Sequence, residues 1–160
     1  MDIETLKSLL WKDGKKNQYK FDEVLKWIKE HEKIIGELHI GSDSHIIGKN
    51  AIFATAICIL CHNKERKYFF VKNKMSKIKM NKLFYRLNAE VMLSLIVSLE
   101  IKALALPSPQ FVHIDCNSNP KYKSEKYKGI LINMIKAHGF KVKIKPDSWA
   151  SFAVADRHAK

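Results

Sequence analysis

The chain has 160 residues, 46% of them hydrophobic and 10% aromatic, which suits one domain with a proper core. Its 29 Lys and Arg against 16 Asp and Glu give a net charge of +13, a field that favours polyanions such as nucleic acid as partners. No apolar run reaches the ~20 residues of a membrane span, and the opening MDIETLKSLL has no signal-peptide pattern. With an odd count of three cysteines, the expectation is a cytoplasmic protein without a disulfide framework.

Residues 1–34 read as an N-terminal helical extension. A short helix fits within IETLKSLL, KDGKK breaks the chain, and Phe21, Val24, Leu25 and Ile28 form the apolar stripe of an amphipathic helix. The domain proper is expected over residues 35–160. Three strands come first: ELHIGS (37–42), AIFATAICILC (51–61) and RKYFFV (66–71). The short connections DSHIIGKN and HNKE imply an antiparallel meander. In CILC, Cys58 and Cys61 fall on opposite faces of a strand, a poor start for a shared metal. KNKMSKIKM is a basic connector. NKLFYRLNAEVMLSLIVSLEIKAL then reads as a long helix, apolar nearly all round in its second half. QFVHIDC is a fourth strand. A helix over EKYKGILINMIKAH is expected to be capped by Ser124 and closed by Gly139. FKVKIK is a fifth strand, and PDSWASFAVADRHA is a last helix. The order β-β-β-α-β-α-β-α predicts an α/β fold: a mixed five-stranded sheet with helices on both faces, and with the fourth strand beside the first.

Two of these strands climb to an aspartate, Asp43 and Asp115. On adjacent parallel strands, ~4.8 Å apart, the two carboxylates meet at one end of the sheet and repel unless a proton or a cation lies between them. Oxygen ligands select Mg2+ or Mn2+. Glu90, where the long helix turns fully apolar, is costly as a lone ion and can join that cation. Asp156, among the small residues of VADRHA, is a fourth acid within reach. Four acids on four elements can hold two ions ~3.5–4 Å apart, the arrangement of two-metal phosphodiester hydrolysis.

IGSDSHIIGKNAIFATAI, RLNAEVMLSLIVSL, FVHIDCNS and ADRHAK, in this order, resemble the four acid-bearing segments of the ribonuclease H-like superfamily. Within it, GSDSH and SWASFAVADRHAK look most like the YkuK-type group of predicted ribonuclease H-like nucleases. The resemblance implies a divalent-metal-dependent nuclease in which Asp43, Glu90, Asp115 and Asp156 are the catalytic and metal-binding residues. It leaves RNA, DNA or a hybrid as substrate open. A non-catalytic nucleic-acid-binding module on the same fold is the alternative. The arginine- and tryptophan-rich handle by which some hybrid-cleaving members grip substrate has no clear counterpart between the last two long helices, which argues against hybrid specificity.

Simpler roles stand beside these. Asp43 and Asp115 suit turn caps, Glu90 can pair with Arg86, and Asp156 with Lys160. Asp147 rivals Asp156 as fourth ligand. His45, His113 and His158 are expected to be packed or solvated. Ser44 and Asn117 can bond water on the metal, Trp149 can face the groove, and the lysines of KNKMSKIKMNK can grip phosphate.

Overall fold

The computed structural model describes residues 3–160. The first two residues of the N-terminal extension lie outside the described part. In chain order come α1 (Ile3–Ser8), β1 (Trp11–Asp13), β2 (Gln18–Tyr19), α2 (Phe21–Glu30), β3 (Ile35–Ile47), β4 (Asn50–Cys61) and β5 (Arg66–Ser76). Then follow α3 (Lys77–Met80), α4 (Leu83–Lys102), β6 (Gln110–His113), α5 (Lys128–Ala137), β7 (Lys141–Lys143), a π-helical turn (Ala150–Ala155) and α6 (Asp156–Ala159).

The seven strands form one mixed sheet in the order β2-β1-β5-β4-β3-β6-β7. As expected, β3, β4 and β5 make an antiparallel meander, and β6 lies parallel beside β3. Five of the strands are those read from the sequence. The other two come from residues 11–19, whose strands are too short to show a period. Asp13 folds that loop: it accepts bonds from the Lys15 and Asn17 amides, the Asn17 side chain and the Tyr19 hydroxyl at 2.9–3.1 Å. β1 then pairs with β5 and covers the edge the meander would leave open.

Two boundaries move. β3 runs on past Asp43 to Ile47, because the ladder with β4 continues to a turn where Gly48 takes φ +57°. β5 likewise extends through KNKMS, which is strand rather than connector. Near α5, the Ser124 hydroxyl accepts from the Asn117 amide and does not cap the helix, whereas Gly139 takes φ +81° just past its end, as its position predicts.

Alternation along β3 assigns the two faces. Leu38, Ile40 and Ser42 face α2 and α4 across a core that includes Val24, Ile28, Leu93 and Val97. His39, Gly41 and Asp43 face the C-terminal turn and α6. That second interface is thin, built on Ala54, Ala56, Ala150, Ala155 and Ala159. Gly41 sets its thickness: a Cβ there would lie 2.7 Å from the backbone nitrogen of Ser151. Small residues let the last helix lie almost against the sheet, and this brings Asp156 to Asp43 of β3.

Candidate active site

The four acids come from four elements, and the structure brings them together. β6 pairs with β3 through Gly41↔His113, so continuing the register by two residues sets Asp115 beside Asp43. Asp43 is buried. Its carboxyl group hydrogen-bonds that of Asp156, and the charge of Asp115 also acts on it. Glu90, 6% exposed in the middle of α4, accepts a bond of 2.6 Å from the Ser44 hydroxyl. Asp43, Glu90 and Asp115 line one cavity of about 300 Å³ with Arg86, Tyr122 and Lys123. Asp147 is exposed in the turn before the last helix, and it is Asp156 that reaches Asp43.

Crowding of carboxylates shows in their protonation. Burial first, then the charge of Asp115 and the contact with Asp156, push Asp43 up from 3.8 to about 7. Glu90 is raised well above its ordinary value, by burial and then by the charge of Asp43. Burial also works against ionisation of Asp156. Hydrogen bonds from Lys160 and Asp43 outweigh it and hold Asp156 below its ordinary value. Of this pair, Asp43 is the member whose environment favours the proton and Asp156 the member whose environment favours the charge.

Two lysines supply the positive charge of the site. Lys160 Nζ lies 2.6 Å from Asp156, the pairing weighed from the sequence, and this does not prevent the bond to Asp43. Lys145 Nζ lies 2.5 Å from Asp115 Oδ1, but without hydrogen-bond geometry, so that buried oxygen has no directed donor. Among the described residues, no three His, Cys, Asp or Glu side chains stand as a ready-made metal-ligand group. Lys145 escaped the sequence reading. Lysines alternate through 141, 143 and 145, but only the sheet order decides which of them meets an acid.

Behind the acids the scaffold is polar and satisfied. The Ser42 hydroxyl bonds Thr55 and Ser94 at 2.9 Å each, and Ser94 donates to the Glu90 carbonyl, which fixes α4 on β3. On the other face the Ala150 amide donates to His113 Nδ1 at 3.1 Å. The His113 proton is then on Nε2, which donates to His39 Nδ1, and His39 Nε2 donates to Glu37. Both rings are neutral. Burial lowers His39, and burial followed by the neighbouring His39 lowers His113 to about 3. Trp149 packs against both rings rather than opening on a groove. His113 is thus packed, as expected, and it anchors the turn that carries Asp156.

The remaining candidates separate. Ser44 bonds Glu90, and His45 is exposed. Asn117 Oδ1 caps its own loop through the Asn119 amide, and His158 stacks on Phe70. Cys58, Cys61 and Cys116 are free. No helix among the described residues is long and apolar enough to cross a membrane.

Comparison with curated proteins and with solved structures finds no match. The family model described as "Ribonuclease H-like" matches residues 20–160, the acid-bearing segments included. This membership points to a nuclease or nucleic-acid-binding role. The chain belongs to the ribonuclease H-like family.

Proposed function

We propose that the chain is a divalent-cation-dependent nuclease that hydrolyses phosphodiester bonds of nucleic acid, with Asp43, Glu90, Asp115 and Asp156 as its catalytic carboxylates. One observation carries the reading: Asp43 and Glu90 are buried, with Asp115 and Asp156 close enough to act on Asp43, so carboxylates from four segments crowd one place. Burial and that crowding push Asp43 up to about 7, even with Lys145 and Lys160 beside the other two acids. The donor set, four carboxylates with one buried and undirected oxygen on Asp115, fits hard cations such as Mg2+ or Mn2+.

Bound there, such cations would neutralise the scissile phosphate and lower the pKa of an attacking water. The chain's own groups prepare for this. On cation binding the proton on Asp43 would leave, and Lys145 and Lys160 would give up Asp115 and Asp156. Ser44 keeps Glu90 oriented, and Arg86 and Lys123 offer charge to the phosphate from the cavity wall. The free cysteines accord with a reducing compartment, so the cytoplasm is the proposed location.

The second reading, a non-catalytic nucleic-acid-binding module, is favoured by the two lysine pairings and by the lack of a ready-made ligand group. A cleavage assay decides between them. Single-stranded RNA, single-stranded DNA, duplex DNA and an RNA–DNA hybrid are incubated with Mg2+, Mn2+ or EDTA, beside Asp43→Asn. Metal-dependent cutting that disappears in Asp43→Asn is the expected result. Binding without cutting under every condition would sink the nuclease reading in favour of the module.

A further inference from the structure

A second cavity, lined by none of the four acids, has no part in the chemistry above. It holds about 600 Å³, within the usual range for a small-ligand site, and lies where the N-terminal hairpin meets β5 and α6. Its walls combine the rings of Tyr68, Phe70 and His158 with Lys12, Lys16 and Lys72. The sheet register links it to the acids. Asp43 pairs with Ala54, which pairs with Lys72, so Asp43 and Lys72 share a face and a row. Two strand spacings, about 10 Å, separate them. In the next row Gly41, Ala56, Phe70 and Lys12 stand in line. Lys72 Nζ also reaches the backbone carbonyl of Lys160, the residue that pairs with Asp156.

We propose that this cavity binds an unpaired nucleotide, a neighbour of the scissile phosphate on a single strand of nucleic acid. The inference rests on the nucleic-acid reading of the family and adds strand state to it. Three observations support it. The aromatic wall suits a base: half-buried Tyr68 lines the cavity 5.7 Å from His158, which is itself held by stacking on buried Phe70 at 3.5 Å. The cations suit phosphate. Lys12 and Lys16 are exposed, and Asp13, the acid on the wall, is consumed by its own loop. Finally, Lys72 on the cavity wall reaches the backbone carbonyl of Lys160, so the cavity adjoins the segment that carries Asp156. A base held in a duplex cannot enter such a cavity without unpairing, so a single strand is selected.

The test is fluorescence anisotropy with labelled oligonucleotides of about ten nucleotides, a length within the site sizes of single-strand binders. Unstructured RNA, unstructured DNA and a blunt duplex are each titrated in EDTA, so that cleavage plays no part. Tyr68→Ala is expected to weaken single-strand binding about tenfold, Tyr68→Phe to restore it, and duplex binding to change less than about twofold. Lys12→Gln/Lys16→Gln, at exposed positions that leave the fold intact, is expected to flatten the slope of log Kd against log[salt] by about 1.4 for single strands. A strand carrying 5-iodouridine is expected to photocrosslink to Tyr68. Unchanged single-strand affinity in both variants, an equal loss for duplex and single strand, or no binding of any strand would overturn the proposal. Selective loss in Tyr68→Ala by a protein that cuts nothing would leave this site standing and remove the nuclease reading. Metal-dependent cutting with unaltered binding in both variants would do the reverse.

Discussion

Asp43→Asn should stabilise the cation-free protein at alkaline pH, although it removes a carboxylate at the heart of the site. Asp43 is raised from 3.8 to about 7, chiefly by burial and by Asp115. A raised acid holds its proton in the folded state over the window in which the unfolded chain releases it. Stability is therefore full below about pH 4 and falls as the pH rises towards 7. At about 1.4 kcal/mol per pH unit, the whole window is worth about 4 kcal/mol. Asp156, held low by its hydrogen bonds with Lys160 and Asp43, returns part of that, so about 2 kcal/mol is the working figure. Asparagine keeps the shape and takes no charge. The assay is thermal unfolding from pH 4 to 8.5 in EDTA. At pH 4 wild type and variant should melt together, and the gap should open from there. By pH 8 the variant should melt roughly 4–8 °C higher, since 1 kcal/mol moves a domain of this size by about 2–4 °C. Saturating Mg2+ should raise the wild type and close the gap. Equal melting at pH 8, or a less stable variant, would refute the claim that the acids repel one another in the folded state.

Other perturbations test the scaffold and the lysines. Gly41→Ala puts a methyl group 2.7 Å from the Ser151 nitrogen, so it should cost about 1–3 kcal/mol in urea unfolding and lower cleavage more than stability, by displacing Asp156. Lys145→Met removes the cation beside Asp115. Titration calorimetry should show tighter Mg2+ binding, and weaker binding would mean that the lysine helps to build the site. His39→Phe leaves the buried Nε2–H of His113 without an acceptor, and it should destabilise by about 1–3 kcal/mol at every pH from 6 to 8, because neither ring is charged there. A loss that grows only at acid pH would contradict the neutral assignment.

Much of the site was legible because its residues break local patterns. Asp43 and Asp115 interrupt β-rich apolar runs, and Glu90 interrupts a helix that is apolar on all sides. Such breaks are visible in one dimension, since a buried charge is costly wherever it lies. Lys145 and His39 break no pattern. A lysine in an alternating strand and a histidine beside leucine and isoleucine look ordinary until the neighbour across the sheet is known. The hairpin of residues 11–19 was hidden for another reason. Its strands hold three and two residues, too few for a period, and they are stabilised by the Asp13 side chain and by β5, which follows some fifty positions later.

By itself, then, the sequence determined the succession of strands and helices, the basic field, and the four acids on four elements. Each of these depends on period, composition or the cost of burying charge, all of them local in the chain. Tertiary structure alone decided that Asp156 rather than Asp147 meets Asp43, that lysines stand against two of the acids, and that an aromatic, cationic cavity opens in line with them. Those outcomes depend on how closely the last helix approaches the sheet. That distance is set by Gly41 and a patch of alanines whose smallness has meaning only once the two surfaces are in contact.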